Sequence, residues 1–332
     1  MKVVCTSKLI EFSEEDLSAY DGLDVDFQVI DGSSEEAILA GAADADALIV
    51  VVEEISRTVI EGLERCKAIG RCGIGFDTVD LDAATGRGIW VSNVPDANYR
   101  EVAVHAIALT LAVQRRLPAL DAGMRATGWA DWAVPGVHRP DVQTFGLYGL
   151  GRIGRRVAEI AGSLGYTVIG HDPAVGQADV ESLDIELVGS EELLARSDVL
   201  SLHVPLLEST RNVIDRAALA RMKPGAVLVN VSRGGLVDEV ALADALRSGH
   251  LFGAGIDVFD AEPVAPGNPL LTCESAILTP HAAHWSEESL AELKRKVVDE
   301  SARILRGEAP RSPVNRLPST AARAQRSPGA SK

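Results

Sequence analysis

The sequence predicts an α/β protein of two domains, each a parallel sheet covered by helices. Three observations carry this reading. Short β-branched runs alternate with helical patterns along nearly the whole chain, which is how parallel sheets with crossover helices read. The runs fall into two series, with a long helical stretch before the second. The chain has 332 residues, about two domains at roughly 150 residues each. Apolar residues make up 46% and charged residues 24%, an ordinary globular balance, and a chain of this length buries its cores without disulfides or metal.

In the first series, strands are expected at Lys2–Cys5, Asp24–Ile30, Ala47–Val51, Ala68–Cys72 and Trp90–Ser92, with helices such as Ser34–Ala40 and Ser56–Cys66 between them. A longer helix is expected from about Tyr99 to Arg116, with Pro118 marking the break. The second series runs Thr144–Tyr148, Thr167–His171, Val199–Leu202, Ala226–Asn230, Gly253–Asp257 and Ala276–Leu278, with helices including Ile153–Leu164 and Glu239–Ser248. Another long helix, about Ser286 to Arg306, ends before Gly307 and Pro310. A helix at each end of the second series is a natural pair of connectors for an inserted domain. The expected division is therefore 1–98 with 284–316 as one domain and 99–283 as the other. Residues 317–332, rich in Ser, Ala, Pro and Arg without an apolar period, are expected to be a disordered tail.

Acidic residues number 48 and basic residues 32, a formal net charge of -16. That balance argues against nucleic acid and anionic membranes as partners. A small anionic substrate stays open, because one buried Arg can dominate a pocket. Cys5, Cys66, Cys72 and Cys273 form no CxxC, so neither a metal site nor a redox pair is expected; they read as reduced thiols of a cytoplasmic protein. The first residues, MKVVCTSKLIEF, lack the apolar core and cleavage site of a signal peptide. Apolar runs such as Ala47–Val52 are too short to span a bilayer.

The strongest motif follows the strand ending at Tyr148: Gly149-Leu150-Gly151-Arg152-Ile153-Gly154, then a helical pattern. In this strand–turn–helix setting Gly149 permits the tight turn, Gly151 lets the backbone approach a pyrophosphate, and Gly154 allows close helix–strand packing. The next strand ends at Asp172, 18 residues after Gly154. A carboxylate there accepts from ribose hydroxyls and repels a 2′-phosphate, so NAD is favoured over NADP. Six strands are the number in a complete Rossmann-type sheet.

Three further segments carry chemistry. Arg233, in NVSRGGLVDE, follows a strand end, where ligands bind in such sheets, and a guanidinium forks onto a carboxylate. Glu262 in DVFDAEP and His281 in LTPHAAHW each follow another strand of the series. A His beside a carboxylate makes a plausible acid pair. Taken singly, each also reads as a surface Arg, a capping Glu or a satisfied core His.

Together, the segments CGIGFDTVDLDAATGRGIWVSNVP, YGLGRIG, HVPL, VNVSRGGLVDE, GIDVFDAEP and LTPHAA make the chain resemble the D-2-hydroxyacid dehydrogenases over roughly Ala68 to Asn315. The resemblance implies a Rossmann-type NAD-binding domain inserted in a flavodoxin-like substrate domain. It implies that Arg233, Glu262 and His281 are catalytic: the arginine on the substrate carboxylate and carbonyl, the glutamate paired with the histidine, the histidine as acid and base. It implies cofactor contacts from Gly149, Gly151, Arg152, Ile153, Gly154 and Asp172, and from His203, Val204, Pro205, Thr210, Val231, Ser232, Asp257 and His281, with Asp257 on the nicotinamide amide. Substrate contacts are implied for Gly73, Ile74 and Gly75, whose N–H groups hold the carboxylate, and for Tyr99, Arg100, Arg233 and Trp285. The expected partner is a small 2-oxo or 2-hydroxy acid (glyoxylate, hydroxypyruvate, phosphoglycerate-like or related), and the expected assembly is a homodimer through the NAD-binding domain.

The chain departs from the family pattern at Asp77-Thr78, Tyr99-Arg100, Val104 and His284-Trp285. Trp285 resembles the tryptophan of the C-terminal binding protein subgroup, so an NAD-sensing scaffold is the competing reading. A phosphonate or phosphite substrate is a third, motivated by Arg100 and Arg71. The formate dehydrogenases carry Gln where Glu262 stands, which argues against that activity.

Overall fold

The computed structural model describes residues 1–131 and 133–317; beyond Leu317 the tail lies outside the described residues. The chain forms two compact units, Met1–Asn98 with the chain from Ser286 onward, and Tyr99–Trp285. The return to the first unit comes just past the expected 283/284 boundary.

The first unit opens with β1 (Lys2–Cys5), β2 (Asp26–Val29), α1 (Glu35–Ala42), β3 (Ala47–Val50), α2 (Arg57–Gly62), β4 (Ala68–Arg71), α3 (Leu81–Arg87) and β5 (Trp90–Ser92). Its sheet has the order β2-β1-β3-β4-β5, every pair parallel, the flavodoxin-like order. Because strand side chains alternate between faces, Val3, Ile49 and Ala68 join one core while Val4, Leu48 and Ile69 join another with Ile38, Val59 and Ile60 of α1 and α2.

The second unit contains α4 (Tyr99–Gln114), α5 (Leu117–Thr127), β6 (Thr144–Tyr148), α6 (Arg152–Ser163), β7 (Thr167–His171), β8 (Glu186–Leu187), α7 (Ser190–Arg196), β9 (Val199–Leu202), α8 (Arg216–Arg221), β10 (Ala226–Asn230), α9 (Glu239–Arg247), β11 (Leu251–Ile256) and β12 (Ala276–Leu278). The chain then returns to the first unit as α10 (Glu287–Leu305), whose Leu293 and Val297 pack on the Val3 face. The second sheet runs β12-β11-β10-β9-β6-β7-β8, all parallel. One face is covered by α4 and α6 through Ala106, Leu109, Val157 and Ala161, the other by α7, α8 and α9 through Leu193, Leu219 and Leu242.

One expectation changes here. The six strands expected omit β8, a two-residue edge strand on β7, so the sheet has seven. Glu186–Leu187 is too short to show a period. The helix from Tyr99 ends at Gln114 and the chain breaks just before Pro118, as expected. The break is at Arg116, in the left-handed region at φ 54°, and Pro118 lies in the first turn of α5, where its missing N–H breaks no helical bond.

Candidate active site

The candidate residues of the second unit stand at the carboxyl ends of its strands, and the glycine turn is central. Gly149 has φ 103°, and a Cβ there would lie 2.5 Å from the His203 carbonyl oxygen. A Cβ on Gly154 would lie 2.2 Å from the Gly149 carbonyl oxygen, so both positions admit only glycine. At Gly151, by contrast, a Cβ would meet nothing within 4 Å. Helices α1, α2, α3, α8, α9 and α10 begin with a Ser or Asp side chain accepting from the first turn; α5 and α7 have no such cap, and neither has α6, which begins at Gly151. Its first N–H groups, at the positive end of the helix, suit the pyrophosphate of a dinucleotide. The residues present therefore fit NAD.

Asp172 follows β7 and is tied to the turn: Oδ2 accepts from the Leu150 N–H at 2.9 Å and Oδ1 from the Ala174 N–H at 2.9 Å. Each carboxylate oxygen can still accept from a ribose hydroxyl. Arg152 is exposed, whereas the Ile153 side chain packs against the core. Across the turn, His203 Nε2 shares a hydrogen bond of 2.9 Å with the Ser201 hydroxyl. Burial pushes its pKa down to about 3, so the ring is neutral. Val204 stands against Gly149.

Thr210 braces its own loop: its hydroxyl donates to the Pro205 carbonyl at 2.7 Å and accepts from the Leu207 N–H at 2.8 Å. Ser232 likewise donates to the Leu202 carbonyl at 2.7 Å, and Val231 is buried in the core. The two hydroxyls thus brace the loops that follow β9 and β10.

Arg233 follows β10, its Nη1 donating to the Ser232 carbonyl at 2.7 Å. A Cβ on neighbouring Gly234 would lie 1.8 Å from the Phe259 carbonyl carbon; that close approach clamps the arginine loop to the Phe259–Glu262 turn. Glu262 Oε1 accepts from the Phe259 N–H at 2.9 Å, and Oε2 accepts from His281 Nδ1 at 2.7 Å. Partial burial alone would raise the Glu262 pKa. The His281 hydrogen bond, the Phe259 N–H and the charges of His281 and Arg233 outweigh it and hold the carboxyl below its ordinary value. An ionised carboxylate only accepts, so Nδ1 carries the proton and Nε2 is the atom left for chemistry.

Asp257 is fully buried. Oδ1 accepts from the Thr279 hydroxyl at 2.6 Å and the Ala282 N–H at 2.9 Å, Oδ2 from the Ala283 N–H at 3.0 Å, and its carbonyl from the His281 N–H at 2.7 Å. These bonds hold the turn in which His281 adopts φ 52°, a left-handed conformation costing about 1–2 kcal/mol for a non-glycine residue. Thr279 donates to Asp257, so its oxygen accepts from His105 Nε2 at 3.1 Å. Sequence reading missed both His105 and Thr279. The one signal for Thr279 was its place two residues before His281; His105, far off in α4, gave none.

Of the expected substrate contacts in this unit, Tyr99 and Arg100 open α4 with the guanidinium 5.0 Å from the ring centroid, and Trp285 is exposed. His284 stacks edge-on against His281, centroids 5.8 Å apart. In the first unit, Gly73, Ile74 and Gly75 follow β4. Gly73 and Ile74 are braced through the Val94 N–H on the Gly73 carbonyl at 3.0 Å and the Asn93 amide on the Ile74 carbonyl at 2.6 Å. All four cysteines are free thiols. Among the described residues no cluster of metal-ligating side chains is found, and no helix is long and apolar enough to cross a membrane.

Residues 107–283 match the family model described as "D-isomer specific 2-hydroxyacid dehydrogenase, NAD binding domain". The chain belongs to the D-isomer specific 2-hydroxyacid dehydrogenase family. It is 37% identical to a glyoxylate reductase of Korarchaeum cryptofilum over 85% of this chain and 86% of that protein. It is 39% identical to a D-3-phosphoglycerate dehydrogenase of Mycobacterium tuberculosis over 89% of this chain and 56% of that one, so it spans about half the length of such relatives. Among solved structures it resembles an Aquifex aeolicus D-lactate dehydrogenase complexed with NAD and lactic acid, with a TM-score of 0.82, 25% identity, and 93% and 96% of the two chains covered. The glycine turn belongs to this family's NAD-binding domain.

Proposed function

We propose that the protein is an NAD-dependent D-2-hydroxyacid dehydrogenase acting as a reductase of a small 2-oxo acid. One observation carries the reading: His281 Nδ1 on the Glu262 carboxylate at 2.7 Å, with the Arg233 charge acting on the same carboxylate, in a unit whose glycine turn fits NAD. When bound, NADH supplies the hydride that reduces C2 of the substrate. Arg233 pairs with the substrate carboxylate and polarises its carbonyl. In the first unit, the Gly73–Gly75 loop is the segment with backbone N–H groups suited to a carboxylate. His281 Nε2 gives its proton to the developing alkoxide, and Glu262 keeps the ring oriented and stabilises the imidazolium. Oxidation uses the same groups in reverse, with neutral His281 as base.

We assign the protein to the cytoplasm as a homodimer through the second unit. No residue of α5 is buried, Leu117 and Met124 are 53% and 45% exposed, and Trp129 just beyond is 72% exposed. A second copy laying the same face against this one is the simplest cover for such a strip. Light scattering on Met124→Glu should then show monomer where the native protein shows dimer; a native monomer would contradict the assignment.

The activity test is absorbance-followed NADH oxidation with glyoxylate, hydroxypyruvate, pyruvate, branched, aromatic and phosphonate-bearing 2-oxo acids. Turnover of one member supports the reading. Silence across the panel with NADH bound refutes it and favours a dinucleotide-sensing scaffold.

A further inference from the structure

Two neighbouring residues just after β5 grip the Gly73–Gly75 loop by its carbonyls. The Val94 N–H donates to the Gly73 carbonyl at 3.0 Å, and Asn93 Nδ2 donates to the Ile74 carbonyl at 2.6 Å. A carbonyl oxygen only accepts, so the nitrogen end of the Asn93 amide must face it. The peptides carrying these carbonyls, Gly73–Ile74 and Ile74–Gly75, are both trans. A trans peptide aims its N–H opposite to its C=O. With both carbonyls turned to Asn93 and Val94, the Ile74 and Gly75 N–H groups are turned together to the other side. Successive N–H groups on one side make an anion-binding concavity. Among the described residues neither of these two N–H groups donates to another group.

Asn93 is itself held in place. It is buried, and its backbone N–H donates to the Ser312 carbonyl at 3.3 Å. Ser92 forms an antiparallel bridge with Pro313, and the Val314 N–H donates to the Val91 carbonyl at 2.9 Å. Asn315 Oδ1 accepts from the Val91 N–H at 2.9 Å, and its Nδ2 donates to the Ile89 carbonyl at 2.9 Å. The chain that follows α10 therefore lies along the edge of β5 away from β4. It fixes the backbone from which the Asn93 amide reaches the loop.

We propose that Asn93 is a positioning residue for substrate binding: through the Ile74 carbonyl, its amide sets the pair of N–H groups that receives the carboxylate of a 2-oxo acid. This rests on the reading of the Gly73–Gly75 loop as a carboxylate anchor. The Val94 tie comes from the backbone, and almost any residue there supplies it. The Asn93 tie depends on the side chain. Without it the Ile74–Gly75 peptide is free to rotate, and the Gly75 N–H leaves the concavity. The carboxylate keeps its charge while C2 is reduced, so its anchor acts equally on the bound substrate and on the transition state. Loss of the anchor then raises KM and spares kcat.

The experiment combines steady-state kinetics on a 2-oxo acid that the native protein reduces, NADH affinity by fluorescence titration, and amide NMR of Ile74 and Gly75. The NMR probe is oxamate, an unreactive isostere of a 2-oxo acid, added to the NADH complex. Both amide signals of the native protein should move. Asn93→Ala should raise KM about tenfold, as expected for one hydrogen bond to a charged group. Its kcat and NADH affinity should stay within about twofold of native. Asn93→Asp keeps the shape of the side chain but not the donor, and should raise KM at least as much. A merely structural brace would lower kcat, NADH affinity and substrate affinity alike, which would overturn the proposal. A KM unmoved by both variants, with the native amide signals moving, overturns the proposal alone. Native amide signals that stay in place remove the anchor reading and the proposal with it, and silence on the 2-oxo acids with NADH bound removes the dehydrogenase reading itself.

Discussion

Asp257→Ala tests whether the fold builds the turn that aims His281. The substitution strands the Ala282 and Ala283 N–H groups and removes the acceptor of the Thr279 hydroxyl. Each of the two buried amides left unpaired costs about 2 kcal/mol, the middle of the usual range, while the hydroxyl can turn to another acceptor at little cost. The sum is about 4 kcal/mol. For a unit of this size, at about 2–4 °C per kcal/mol, the melting temperature should fall by about 10 °C. The left-handed backbone of His281 then loses its ties and relaxes, and a displacement of about 1 Å at a proton donor costs about 100-fold in rate. Differential scanning calorimetry and kcat at saturating NADH are the two assays. Native melting with native kcat would refute the bracing role. A loss confined to NADH affinity would assign Asp257 to the nicotinamide amide alone.

Three other outcomes follow from the geometry. Gly154→Ala should destabilise by about 1–3 kcal/mol or more, because its Cβ would overlap the Gly149 carbonyl, whereas Gly151→Ala should melt as the native protein yet bind NADH about tenfold more weakly by fluorescence titration; equal behaviour of the two would refute the distinct roles. Asp172→Ala should bring NADPH and NADH affinities about tenfold closer, and an unchanged ratio would remove Asp172 from the ribose site. His203, neutral when folded with a pKa of about 3, takes up a proton on unfolding below about 6.5, so its stability contribution is present above pH 6.5 and lost as pH falls. By pH 5 the loss is about 2 kcal/mol. Urea unfolding should show a shallower acid dependence in His203→Gln, and parallel pH profiles would count against this.

The candidate cofactor turn was legible because its residues are local in the sequence. Gly149, Gly151, Gly154 and Asp172 lie within one strand–turn–helix–strand unit, and backbone geometry dictates glycine at Gly149 and Gly154. Arg233, Glu262 and His281 were legible as strand-end residues; Glu262 and His281 were offered as an acid pair, which the 2.7 Å contact joins, whereas only the resemblance added Arg233 to them. His105 belongs to α4, and nothing local marks it as the donor to Thr279 across the unit. The hydroxyls of Thr210 and Ser232 brace neighbouring loops, a role that a linear motif does not show. In the fold, β8 was invisible because two residues carry no alternation.

The most direct test of the central claim is NADH oxidation by native protein and His281→Ala on a 2-oxo acid that the native protein reduces, with NADH affinity measured in parallel. The account predicts a rate lowered by about 100-fold or more and an NADH affinity nearly intact. Equal loss of rate and affinity, or a rate that survives the substitution, would contradict His281 as the proton donor.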